Sequence, residues 1–191
     1  MDTATIRTLV DYNLTTNRAV WDLTADLSDG ASFYVYTVAE NSPITARNGL
    51  SVNADHWLDA CPKPDLLLVP GGIGTREQMN NGPLIDWIQR TAGEAELVLS
   101  VCTGALLLGK AGLLDGLEMT THHVAYDLLR ETVPTGTVHE DRRFVDNGKF
   151  ITSAGIAAGI DMSLHVVERL LGGEVARATA RRMEYPWGDG E

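Results

Sequence analysis

A flavodoxin-like α/β fold, a three-layer sandwich around a mainly parallel sheet, is what the chain predicts, and three observations carry it. Strand-like and helix-like segments alternate along the sequence. Two apolar runs, DLLLVPGG (65–72) and LVLSV (97–101), are unbroken, the pattern of strands in a buried parallel sheet. Each run stops abruptly at small residues, and a helical pattern follows, as in layered α/β architectures.

The elements follow in order. ATIRTLV (4–10) alternates polar and apolar and reads as a strand, and residues 16–28 suit a short helix with Ala19, Val20, Leu23 and Leu27 as its apolar positions. FYVYTVA (33–39) is β-branched and aromatic, hence a strand, and LSVNADHWL (50–58) is a further extended stretch leading into a turn. After the strand at 65–72 comes a helix over 83–92 with Pro83 in its first turn, where the missing N–H costs nothing. LVLSV is the next strand, followed by a helix over 103–112, MTTHH (119–123) as strand and edge, and a helix over 124–131. RFVDNGKFITSA (143–154) reads as a hairpin turning at Asn147-Gly148. A long helix from about Ile156 to Leu171 closes the series, with Ile160, Leu164, Val167 and Leu171 on one stripe. No linker or repeat divides the chain, so residues 1–191 read as a single domain.

Composition narrows the function. The chain has 191 residues, is 44% hydrophobic, and carries a formal net charge of −11. Its pI is near 4.8, so no basic face is expected for nucleic acid or an anionic membrane. No signal-peptide core and no membrane-spanning run is visible. Two cysteines, Cys61 and Cys102, are too few for a disulfide framework, and a reduced, cytoplasmic setting is the expectation.

Cys102 stands where LVLSV stops and a helix begins. Ligands of an open parallel sheet bind outside the carboxyl ends of the strands. A strand turning sharply into a helix projects the side chain at its tip into that crevice, the geometry of a nucleophile elbow. The unpaired N–H groups of the helix's first turn favour a thiolate, so a lowered pKa is expected. The alternative is a small buried hydrophobe. Cys61, before Pro62 in a polar turn, reads as structural. In VPGGIG (69–74), Gly71, Gly72 and Ile73 follow a second buried strand end. A backbone N–H there, paired with that of Thr103, would make an oxyanion hole.

With both strand ends in hand, the chain resembles the ThiJ/PfpI superfamily, single-domain relatives of class I glutamine amidotransferases. LLLVPGGIG, SVCTGALLLGKAGLLDGLEMTTHH and SAGIAAGIDMSLHVVERLLGGEVARATARRMEY carry the resemblance. CTGALLLGKAGLLDG followed by TTHH points toward the isonitrile hydratase branch, and AraC-type regulators share these motifs. The resemblance implies Cys102 as nucleophile, with Gly72 and Thr103 supplying the oxyanion site, Gly71 and Ile73 facing the substrate, and His122 near the thiol. His123 is expected to face elsewhere, because neighbours on a strand alternate. The branch also places an acid on the loop after the first strand. Here that stretch is LTTNRAVWDL (14–23), where the position falls on Thr16, or on Asn17 or Arg18 in shifted registers; Asp22 lies nearby on the same loop.

The resemblance implies a cofactor-free and metal-free enzyme of small molecules, a homodimer, that adds water to an isonitrile through a thioimidate on Cys102. Hydration of an α-oxoaldehyde, with His122 as proton shuttle, is one alternative. A non-catalytic binding or redox-sensing protein is the other. A regulator would carry a helix-turn-helix part after this region, and a sequence ending in EYPWGDGE is not expected to contain one. Since Thr16 cannot ionise, Thr16→Asp should raise isocyanide hydration tenfold or more, about 1.4 kcal/mol of barrier. The check is steady-state turnover; loss of wild-type activity in Asp22→Asn would instead make Asp22 the acid.

Overall fold

A computed structural model describes residues 5–10, 32–45 and 51–187. The helix expected over 16–28, and with it Thr16, Asn17 and Asp22, lies outside the described residues.

The sheet forms as the apolar runs predict. β1 (Thr5–Val10), β2 (Ser32–Tyr36), β7 (Leu66–Val69), β8 (Leu97–Val101), β11 (Phe144–Asp146) and β12 (Phe150–Ser153) make six strands in the order β11-β12-β8-β7-β1-β2. Every pairing is parallel except that of β11 with β12. The unbroken run of β7 has a direct cause. Leu67 and Val69 pack into one core with Val98, while Leu66 and Leu68 pack into another with Leu97, Leu99 and Val101. Both faces of the strand are therefore covered, and no position can be polar.

Helices make the two outer layers. On one face lie α2 (Gly82–Glu94), α3 (Gly104–Lys110) and α4 (Tyr126–Thr132), contributing Trp87, Ile88, Leu106, Leu108 and Leu129. On the other lie α5 (Ala158–Leu171) and α6 (Gly173–Arg182), with Met162, Leu164, Val166, Ala176 and Ala180. The α5 stripe is thus centred on Met162 and Val166 as well as Leu164 and Val167, and Ile160 and Leu171 are only partly buried. The sequence reading stopped at Leu171. The chain turns at Gly172, with φ 91°, and enters α6 directly.

Three expected elements are shorter than their patterns. FYVYTVA breaks at Thr37, whose N–H and Oγ1 both bond Asp55 Oδ2, at 2.8 and 2.9 Å. The chain then makes β3 (Val38–Ala39), which pairs with β6 (His56–Trp57). The rest of 50–58 supplies β5 (Ser51–Val52), paired with β4 (Ile44–Thr45). MTTHH keeps only β9 (Glu118–Met119), parallel to β10 (Thr137–Val138), before a 3-10 turn at His123–Ala125. Among the described residues no helix is long and apolar enough to cross a membrane.

The hairpin is pinned to α5 by charge. Asp146 accepts from the Gly148 N–H at 2.7 Å, from His165 Nε2 at 2.8 Å and from Arg169 at 2.8 Å. Burial alone would raise its carboxyl, but the His165 and Gly148 bonds and the Arg169 charge outweigh it and hold the pKa below the ordinary value. A depressed carboxyl stabilises the fold above its unfolded pKa of about 4, and the contribution fades as pH falls through the lower folded value. Asp146→Asn should therefore cost about 1–2 kcal/mol at pH 7 in urea melts, and progressively less below about pH 4.

Candidate active site

Between β8 and α3 the backbone makes a two-residue turn, and Cys102 takes φ 58°, a left-handed conformation that costs a residue with a side chain of order 1–3 kcal/mol. The surroundings hold it there. Its N–H is shared between the carbonyls of Ser153, the last residue of β12, and Ala154, both at 3.1 Å. Its carbonyl accepts from Thr121 Oγ1 at 2.7 Å. Thr120 is equally committed, its N–H donating to Thr152 Oγ1 at 2.9 Å and its hydroxyl to the His139 carbonyl at 2.8 Å. These bonds turn the TT pair away from a strand ladder. They are why MTTHH does not continue as one.

The end of β7 lies against the elbow with no room for side chains. A Cβ on Gly71 would stand 2.5 Å from the Thr103 nitrogen, and one on Gly104 would stand 2.2 Å from the Val69 carbonyl oxygen. Thr103 then joins the two loops. Its Oγ1 accepts from the Gly72 N–H at 2.9 Å and lies 3.0 Å from the Gly72 carbonyl oxygen as donor. The Gly72 N–H, expected as an oxyanion donor, is thus directed at the Thr103 hydroxyl instead.

The donors nearest the sulfur are the backbone N–H of Thr103, the Thr103 hydroxyl and the backbone N–H of Ile156, with Arg76 as the neighbouring positive charge. The hydroxyl carries one proton for two acceptors, the Gly72 carbonyl and the sulfur. The lowered thiol pKa expected from the helix N-terminus is not found. Burial is the larger influence and pushes the Cys102 thiol above its ordinary value, and the donors and Arg76 offset this only in part. Cys61 is raised too, by burial against a hydrogen bond with Tyr36.

His122 sits between the site and the 3-10 turn. Its Nδ1 accepts from the Val124 N–H at 3.3 Å, which leaves the ring proton on Nε2. Burial first, then the charges of His123 and Arg76, lowers its pKa below the ordinary imidazole value, which favours the neutral ring at pH 7. A Cβ on Gly155 would meet His122 Cδ2 at 2.5 Å, so only glycine lets the ring lie against this turn. His123 is exposed, and instead of facing away by strand alternation its ring lies against that of His122, with centroids 4.4 Å apart.

Cys102, Thr103, Gly71, Gly72, Ile73 and His122 line one cleft of about 1300 Å³. Its inner wall is apolar, with Leu67, Val69, Leu84, Trp87, Ile88 and Leu107. Its rim exposes Ile73, Val124 and Ile156, at 77%, 59% and 75%. The expected loop partners Thr16, Asn17 and Asp22 lie outside the described residues. Sequence reasoning missed Ile156, Arg76, Thr121 and Glu40, the last being the one carboxylate among the described lining residues. The sequence pattern starts a helix at about Ile156, whereas Ile156 takes φ 40° before α5 and its N–H favours a charged Cys102 sulfur. Among the described residues no group of three His, Cys, Asp or Glu side chains is placed to hold a metal.

The chain is similar to known proteins. The DJ-1/PfpI family matches residues 9–169. Isonitrile hydratase of Pseudomonas putida is 37% identical over 166 residues, 86% of this chain and 70% of that protein. The HTH-type transcriptional regulator CdhR of Pseudomonas aeruginosa is 34% identical over 138 residues, 72% of this chain but 40% of the regulator. The crystal structure of a ThiJ/PfpI family protein from Pseudomonas syringae superposes with a TM-score of 0.83 at 28% identity, covering all of this chain and 77% of that one. The chain belongs to the DJ-1/PfpI family.

The raised thiol sets a pH dependence. Alkylation of Cys102 by iodoacetamide should gain about tenfold per pH unit from pH 7 and level off only above the usual thiol value of about 8.5. Peptide mapping across pH 6–10 checks this; a plateau at pH 7 would mean that the backbone donors outweigh burial.

Proposed function

We propose that this member of the DJ-1/PfpI family is a cysteine-dependent hydratase that converts an isonitrile to an N-substituted formamide through a thioimidate on Cys102. The observation that carries the reading is the left-handed Cys102 at a strand-to-helix elbow, lining an apolar cleft, with the Thr103 and Ile156 N–H groups favouring charge on its sulfur. Its similarity to the P. putida isonitrile hydratase supports the choice of substrate.

A thiol that rests protonated suits this chemistry. In the first step a C–S bond forms at the terminal isonitrile carbon, and the thiol proton ends on that same carbon, giving R–N=CH–S–Cys102. In the second step water adds to the carbon and the C–S bond breaks. The sulfur leaves with a proton, and the product is R–NH–CHO. No electrons are exchanged. The N–H groups of Thr103 and Ile156 stabilise the sulfur as its charge changes, and the neutral His122 offers an Nε2–H donor rather than a base. Burial that disfavours a free thiolate thereby also keeps the proton where the carbon needs it. A cytoplasmic homodimer is part of this proposal.

A second reading is favoured by one observation. The regulator CdhR shares 34% identity with the chain, so the cleft also fits a small-molecule-binding role without turnover. Hydration of an α-oxoaldehyde is the weaker enzymatic reading, because a neutral His122 whose Nδ1 is already occupied makes a poor shuttle.

Turnover of alkyl and aryl isocyanides should be measurable by formamide release and should fall by about a thousandfold or more in Cys102→Ser. Acid-quenched wild type should carry an added mass equal to one isocyanide on the Cys102 peptide. Binding without turnover or adduct would leave the sensing role.

A further inference from the structure

Arg76 lies in the short helix α1 (Thr75–Gln78), at the rim of the cleft that holds Cys102 and His122. It is exposed, and its hydrogen bond is a long one, 3.5 Å from Nη2 to the Val124 carbonyl. Among the described residues that bond engages one of the guanidinium's five N–H donors. Four arginines of the described chain have carboxylate partners: Arg130 pairs with Asp127 and Glu140, Arg142 with Glu118, Arg143 with Asp161, and Arg169 with Asp146. Arg76 has no carboxylate partner among the described residues. The cleft's described carboxylate, Glu40, is engaged elsewhere, accepting from Asn81 Nδ2 at 2.6 Å. In a chain of net charge −11, an anionic ligand is repelled at long range and needs a local cation to settle.

We infer that Arg76 is an anion subsite at the mouth of the thiol cleft and that the substrate is an apolar molecule bearing a carboxylate. The exposed Ile73, Val124 and Ile156, which line the same cleft as Arg76, fit the apolar body of such a molecule, and the guanidinium fits its carboxylate, in two parallel hydrogen bonds. The subsite stands on this geometry alone. Its assignment to an isocyano acid, rather than to another carboxylate, rests on the hydratase reading.

The first test does not need turnover. Cys102 is alkylated by iodoacetate and by iodoacetamide in wild type, Arg76→Ala and Arg76→Lys, at low and high salt. Any change in thiolate fraction affects both reagents alike and cancels in the ratio of rates. The iodoacetate-to-iodoacetamide ratio should fall about threefold to fivefold in Arg76→Ala, be largely kept in Arg76→Lys, and lose its dependence on residue 76 at 1 M salt. An unchanged ratio in Arg76→Ala overturns the subsite. The second test compares 4-isocyanobutanoate with its methyl ester. Wild type should favour the acid in kcat/KM, and Arg76→Ala should lose that preference. If neither isocyanide is turned over while the alkylation ratio follows residue 76, the hydratase reading falls and the anion subsite stands. Preference for the ester in wild type overturns the carboxylate assignment.

Discussion

The ends of β7 and β8 touch backbone to backbone, and the site exists because of that contact. Gly71 against Thr103, and Gly104 against Val69, leave no space for even a methyl group. Thr103 then bonds both the N–H and the carbonyl of Gly72, so two loops from neighbouring strands move as one piece. A left-handed cysteine is costly on its own. It persists here because its N–H, its carbonyl and the next side chain are each held from a different part of the chain: the end of β12, Thr121, and Gly72.

Electrostatically the sulfur is a compromise. The elbow offers it backbone donors and a nearby arginine, all favouring charge. The same tight packing that builds the elbow removes water, and this effect is the larger. A helix of seven residues with buried Gly104, Ala105 and Leu106 in its first turn supplies little solvent to share the load. The outcome is a half-buried thiol whose burial works against the thiolate.

Much of the fold was legible because the signals were local. LLLV announces a strand covered on two faces, VDNGKF announces a turn in which Gly148 takes φ 85°, and the cysteine between an apolar run and small residues announces an elbow. The failures share a cause: a partner distant in sequence. Thr37 interrupts a good β pattern because Asp55 bonds it, and Thr120 and Thr121 leave the strand pattern for Thr152, His139 and Cys102. The thiol pKa was misjudged because a helix N-terminus can be read from sequence and depth of burial cannot. Arg76 and Ile156 act on the Cys102 sulfur only through the fold, and nothing in GTREQ or SAGIA marks them. α6 was passed over because Gly172 and Gly173 look like an ending, whereas they are a corner.

One side chain of the cleft wall gives the protein an optical property. Trp87 is 9% exposed, lines the cleft, and donates its indole N–H to the Leu58 carbonyl at 2.7 Å, whereas Trp57 is 49% exposed. An indole held dry emits at shorter wavelength than one in water, and a buried, hydrogen-bonded ring responds when a molecule settles against it. Of the chain's four tryptophans, Trp87 lines the cleft, and its share of the emission, on the short-wavelength side, reports from the wall of the site. Occupancy of the cleft can be followed by the light the protein itself emits, without a label and without a reaction.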